Sequence, residues 1–134
     1  MKPRLDHIGI AVSSIDDALE LYRDALGIEP GPRIAVAHEQ VEVAMLPIGE
    51  TRLELVEPTS ADSSVARFLA GRGPGLHHVA LEVEDLDAAV SRLRSRDARL
   101  VSERIQVGAE GRRYVFVHPK SASGALLELV EKRP

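Results

Sequence analysis

Leu5-Asp6-His7-Ile8-Gly9-Ile10-Ala11-Val12 returns, 71 residues on, as Leu76-His77-His78-Val79-Ala80-Leu81-Glu82-Val83. The echo continues beyond these two stretches. Ile15-Asp16-Asp17-Ala18 matches Leu86-Asp87-Ala88-Ala89 at the same spacing, and each match opens a segment with helical apolar periodicity. At the far end Leu53-Glu54-Leu55-Val56-Glu57 returns as Leu127-Glu128-Leu129-Val130-Glu131, 74 residues on, so the second copy holds three more residues in a loop. Self-similarity at one spacing means one structural unit used twice.

Working outward from the repeat, residues 5–12 alternate as a strand. Ser13 or Ser14 can cap a helix over 14–26 whose apolar positions Ile15, Ala18, Leu19, Tyr22 and Leu26 recur at helical spacing before Gly27 ends it. Pro30-Gly31-Pro32 reads as a turn, followed by an apolar stretch at 33–37, a loop at 38–40, a strand at 41–46, a hairpin turn at 47–50 and a strand at 51–57. The second copy reads as strand 76–83, helix 86–96, strand 99–105, a turn at Gly108-Ala109-Glu110-Gly111, then strands 113–118 and 125–131. Between the copies, Pro58–Gly75 predicts a short helix with Val65, Phe68 and Leu69 on one face, broken by Gly71, Gly73, Pro74 and Gly75, and so a packed linker. The fold class expected is α+β: two tandem β-α-β-β-β modules, about 4–58 and 75–132, forming one curved, partly closed mixed sheet in a single domain of residues 1–134.

The composition narrows the chemistry. Seventeen Lys and Arg against twenty-one Asp and Glu give a formal charge of −4, which disfavours attraction to nucleic acid or anionic lipid. The absence of Cys excludes disulfides, a cysteine nucleophile and every thiolate metal site, so a metal here must sit on His, Asp and Glu. No apolar run reaches the roughly 18 residues of a membrane span. Charges in Met1-Lys2-Pro3-Arg4 stand where a signal peptide needs its apolar stretch, so a cytoplasmic location is expected.

Four residues occupy equivalent places in the two copies: His7 and His78 on the first strands, Glu54 and Glu128 on the last. Alternation sets His7 on one face with Gly9 and Ala11, and His78 with Ala80 and Glu82. Glu54 and Glu128 each lie between leucines that point the other way, and an isolated buried carboxylate is costly. Convergence on one divalent cation removes that cost, because the metal compensates both charges and takes the imidazole lone pairs. A single strand His is more often an ordinary core or surface residue; the duplication favours the metal reading. His77, on the opposite face from His78, reads as structural, and His38 as a loop residue without a site role.

Asp6-His7-Ile8-Gly9-Ile10-Ala11-Val12, Leu53-Glu54-Leu55-Val56-Glu57-Pro58, Gly75-Leu76-His77-His78-Val79-Ala80 and His118-Pro119-Lys120-Ser121 with Leu126-Leu127-Glu128-Leu129 resemble the vicinal oxygen chelate superfamily and, within it, the methylmalonyl-CoA epimerases. The likeness runs over about residues 5–131, and the His-Pro-Lys-Ser and Gly-Leu-His-His segments favour the epimerases over glyoxalases and antibiotic-resistance proteins. It implies metal ligands at His7, Glu54, His78 and Glu128 around one divalent ion per chain, Co²⁺ ahead of Mn²⁺, Mg²⁺, Ni²⁺ or Zn²⁺, a CoA thioester substrate and a homodimer. Some members of the family carry Gln at the position of Glu54, so this chain presents one more negative charge.

Epimerisation removes a proton from one face of an α-carbon and returns one to the other, so two acid/base groups are expected beside the metal. Glu128 is the first candidate. Glu42, on the strand hairpinned to that of Glu54, is the second, with Glu39 as its nearby substitute. Lys120 and Ser121, after the Pro119 turn, are placed to meet pantetheine or phosphates, and Arg112 and Arg113 are further donors that read more simply as surface charges. Two other readings use the same fold: a glyoxalase I-type lactoylglutathione lyase with the same ligands, and a non-catalytic small-molecule binding protein. The second would line its groove with aromatics, and two Phe, two Tyr and no Trp argue against it.

Overall fold

The computed structural model describes residues 2–133. Contacts divide the chain into two compact units, one spanning 7–77 and one made of 78–133 together with the start of the chain up to Asp6.

In the first unit β1 (Arg4–Ala11) runs parallel to β4 (Thr51–Pro58), β4 runs antiparallel to β3 (Val41–Ile48), and β3 to β2 (Ile34–Val36). The register sorts the side chains onto two faces, because directly paired residues share a face. Ala44 pairs with Leu55 and Leu46 with Leu53, and Ile10 pairs with Leu55 from the other side. That face meets α1 (Ile15–Leu19): Ile15, Leu19, Ala44, Leu46 and Leu55 form one buried cluster with Val12. The Ser14 hydroxyl caps α1 by accepting from the Asp17 amide at 3.1 Å, and Glu57 on β4 accepts from the Ile15 amide at 2.6 Å. The helix predicted over 14–26 is α-helical only to Leu19. Glu20–Ala25 winds as a π turn in which the Leu26 amide donates five residues back to Leu21. The wider turn slips the 3.6-residue stripe, so Leu26 is 60% exposed instead of buried; Gly27, at φ 74°, ends the segment as expected. After β4, Ser63 caps α2 (Ser64–Arg72), whose Phe68 stands edge-on to His77 with ring centroids 5.0 Å apart.

The second unit is built in the same order. β5 (Gly75–Val83) runs parallel to β8 (Leu127–Glu131), which is antiparallel to β7 (Arg113–Val117); β7 pairs with the short β6 (Gln106–Val107). α3 (Leu86–Ser95) is capped by Asp85 and packs Leu86, Ala89 and Val90 against Val115, Val117 and Leu129. The strand expected at 99–105 does not form. Polar Ser102, Glu103 and Arg104 give it no buried face, and its backbone makes only separate links, the Arg99 carbonyl accepting from His118 and the Val101 amide donating to Phe116. A lone bridge, Leu100 to Val117, and β6 are what remain. Counted through the chain, the strands follow the order β2-β3-β4-β1-β5-β8-β7-β6 in one mixed sheet, the α+β class of two β-α-β-β-β modules that the repeat predicts.

Candidate metal centre

The candidate residues of the first unit lie on its face turned away from α1. Along β1 it presents His7, Gly9 and Ala11; on β4 Glu54 pairs with Gly9, and on β3 Met45 pairs with Glu54. His7 Nε2 lies 3.6 Å from Glu54 Oε2, and both residues are more than nine-tenths buried. The second unit repeats this. Ala80, which shares the face of His78, pairs with Glu128, and Phe116 pairs with Glu128 from β7. His78 Nε2 lies 3.3 Å from Glu128 Oε1, and the Phe116 ring stands edge-on to the imidazole at 5.6 Å between centroids.

One ligand atom from each of His7, Glu54 and His78 lies within 4.8 Å of the other two, with all three residues buried. The donor chemistry fits a divalent cation of intermediate softness: two imidazoles and a carboxylate, with no thiolate in the chain. The spacings fit as well. Donors that each stand about 2.1 Å from an ion are roughly 3–3.5 Å from one another; the His78–Glu128 separation of 3.3 Å falls inside that range and the His7–Glu54 separation of 3.6 Å just above it. A direct charge-assisted hydrogen bond would be shorter, about 2.7–2.9 Å. The structure brings His7, Glu54 and His78 close together and sets Glu128 against His78.

The remaining sequence candidates lie elsewhere. Glu42 pairs with Glu57 and Ala35, so its side chain shares the face of Ala44 and Leu46, opposite to Glu54. There its carboxylate takes Arg33 Nη1 at 3.3 Å, while Arg33 also grips Asp16 of α1. The Glu54 face of β3 carries Val41, Val43 and Met45 instead. Glu39 is half-buried in a 3₁₀ turn before β3, its carbonyl accepting the Ser63 hydroxyl at 3.2 Å. Lys120 is exposed on a 3₁₀ turn after β7, its amide donating to His118 Nδ1 at 3.0 Å, and the Ser121 hydroxyl accepts from the Arg99 amide at 2.9 Å. Burial holds the His118 imidazole below the ordinary histidine range, with Arg99 and Lys120 adding to it.

Neither Arg112 nor Arg113 is a spare surface cation. Arg113 binds Glu131 and Asp87, which hold its pKa far above the ordinary range, Asp87 contributing more. Arg112 is buried against Asp6, Glu82 and the Glu131 carbonyl. The sequence carried a signal for this. Asp6 alternates with His7 on an otherwise apolar strand, and a carboxylate in that setting needs a cation.

Among the described residues no helix is long and apolar enough to cross a membrane. Residues 6–116 match the glyoxalase/bleomycin resistance protein/dioxygenase superfamily. The mitochondrial methylmalonyl-CoA epimerase of Bos taurus is 35% identical over 127 residues, covering 94% of this chain and 73% of that protein. The crystal structure of methylmalonyl-CoA epimerase from Mycobacterium tuberculosis superposes with a TM-score of 0.91 at 41% identity, covering 97% of this chain and 88% of that one. A Streptomyces coelicolor methylmalonyl-CoA epimerase variant in complex with 2-nitronate-propionyl-CoA gives 0.92 at 37% identity, covering 98% of each. Sequence and fold agree from end to end, and the chain belongs to the methylmalonyl-CoA epimerase family of that superfamily.

Proposed function

We propose that this protein interconverts the two epimers of methylmalonyl-CoA, with a divalent cation, cobalt first among the candidates, held by His7, Glu54, His78 and, as fourth ligand, Glu128. The observation that carries the reading is the buried His-Glu-His group in a chain whose relatives are epimerases. When bound, the cation would draw charge from the thioester carbonyl and the free carboxylate as the α-proton leaves.

The chain must then supply proton carriers for both faces of that carbon. Glu128 serves one face. Glu42 is turned to the α1 side and β3 offers only Val41, Val43 and Met45 beside Glu54, so the second role passes to Glu39, half-buried in the turn that leads into β3. Glu128 stands beside the His78 imidazole, which holds it in place while it takes and returns a proton. Apolar neighbours at Val43 and Met45 suit the methyl substituent. Lys120 supplies an exposed ammonium for CoA phosphate, and Ser121 keeps its hydroxyl proton for donation while accepting from Arg99. The reading extends to a cytoplasmic homodimer, which sedimentation of the purified protein tests.

The deciding experiment incubates each methylmalonyl-CoA epimer in D₂O with protein stripped of metal and then reloaded with Co²⁺. Deuterium should enter the α-position only in the reloaded sample, and His78→Ala should lose bound metal on dialysis. No deuterium entry with any divalent ion would overturn the epimerase reading; lactoylglutathione formation would then install the glyoxalase-type alternative.

A further inference from the structure

Arg112 makes four hydrogen bonds from a nearly buried position, 7% exposed. Nη1 donates to Asp6 Oδ1 at 2.8 Å, Nη2 to Glu82 Oε2 at 3.1 Å and to the Glu131 carbonyl at 2.8 Å, and Nε to that same carbonyl at 3.0 Å. The three acceptors sit on three strands. Asp6 on β1 immediately precedes His7, Glu82 on β5 follows His78 by four residues on the same face, and Glu131 on β8 follows Glu128 by three. One guanidinium therefore ties together the strands that carry three of the four candidate ligands.

The loop before β7 is shaped to deliver that side chain. Gly111 takes a left-handed φ of 71°, the Gly108 amide donates to the Arg112 carbonyl at 2.9 Å, and a Cβ on Gly108 would meet the Tyr114 ring at 3.0 Å. Stability alone does not account for the arrangement, since well-packed apolar residues commonly replace a buried ion pair at no loss. What apolar residues cannot do is fix register. A planar fork of five donors holds three acceptors at set angles, and a lysine ammonium would not.

We propose that Arg112 is a positioning residue of the metal centre, setting the mutual placement of β1, β5 and β8 through Asp6, Glu82 and Glu131, and with it the affinity and coordination geometry of the cation. This rests on the metal reading of His7, Glu54 and His78.

The test uses Arg112→Lys, which keeps the charge and loses the fork, and the double variant Asp6→Leu/Arg112→Met, which removes the pair together. For each, Co²⁺ affinity is measured by chelator competition, the visible d–d spectrum of the Co²⁺ form is recorded, and thermal melting of the metal-free form is followed. Residues that orient metal ligands typically contribute 10- to 100-fold in affinity, so a loss of about that size is expected in both variants, with shifted d–d bands. The double variant should melt close to the wild type. Wild-type affinity and spectrum in a folded Arg112→Lys or double variant would overturn the proposal. So would failure of both variants to fold, which would assign Arg112 to the fold itself. Wild-type protein that binds Co²⁺ no better than His78→Ala would instead remove the metal reading, and the proposal with it.

Discussion

Replacing Glu128 with glutamine separates the two roles proposed for it, metal ligand and proton carrier. Glutamine has the same length and offers a carbonyl oxygen in the same buried position, 9% exposed, beside His78 Nε2 at 3.3 Å. It cannot hold a proton there. Loss of one general acid/base group typically costs 10²–10⁴-fold, equivalent to about 3–5 kcal/mol on the barrier at 1.36 kcal/mol per decade. Metal-replete Glu128→Gln should therefore interconvert the epimers 10²–10⁴-fold more slowly. The pattern of the defect is more diagnostic than its size. Each epimer is incubated separately in D₂O, and deuterium is counted by mass spectrometry in recovered substrate and in product. The carrier on the opposite face still removes and returns the proton on its own side, so one epimer should exchange with solvent without converting while the other stays inert. A metal-replete variant that converts within about threefold of the wild-type rate would refute the assignment, as would equal loss of exchange from both epimers, which marks damage to the metal centre and not to one base.

Glu42→Gln should epimerise within about threefold of wild type, far from the 10²–10⁴-fold of a lost base, because its carboxylate faces Arg33 on the α1 side; a larger defect would return it to the site. Leu46→Ala empties a fully buried position beneath α1, so thermal denaturation should show a loss of about 3–5 kcal/mol and a melting point about 10–20 °C lower. Glu57→Ala removes the carboxylate that accepts from the first amide of α1, and calorimetry should register about 1–2 kcal/mol. His118 is held below 6.5 by burial, so the unfolded chain takes up that proton first and the residue's contribution to stability is lost as pH falls through 6.5. An NMR titration should place its midpoint below that of a free histidine.

The repeat makes the strands and the candidate ligands legible together. A carboxylate between two leucines on each last strand and a histidine beside small residues on each first strand can share a face only one way once the strands pair, and the structure pairs Gly9 with Glu54 and Ala80 with Glu128. Glu42 failed on the same principle applied too loosely. Alternation separates Glu42 from Val43 without saying which of the two looks toward Glu54, and β3 is buried on both sides from Val43 to Leu46. The pairing of Met45 with Glu54 decides it, and the hairpin turn sets that pairing: the chain reverses at Gly49 and Glu50, with Pro47 and Ile48 still inside the strand. The π turn after Leu19 and the unformed strand at 99–105 were illegible for a different reason. The π turn overrides an apolar stripe that runs on to Leu26, and the stretch at 99–105 has no buried face to hold it as a strand; both follow from where backbone hydrogen bonds go.

Arg112 marks the deeper limit of reading by pattern. Its neighbour Arg113 is half-buried on Asp87 and Glu131, and the two are indistinguishable in the string Gly111-Arg112-Arg113. The left-handed pair Glu110 and Gly111 leads the chain into β7 with Arg112 buried and Arg113 half-exposed. The first copy has no counterpart to Arg112, and the duplicated Glu opposite its partner strand meets Met45 in one copy and Phe116 in the other. The two halves thus keep the His–Glu pair of the candidate metal group in common and differ in the side chains around it. That division is what an epimerase needs. The same pair of acid/base groups must work on both faces of one carbon, while a substrate with a carboxylate, a methyl group and a thioester presents something different to each side.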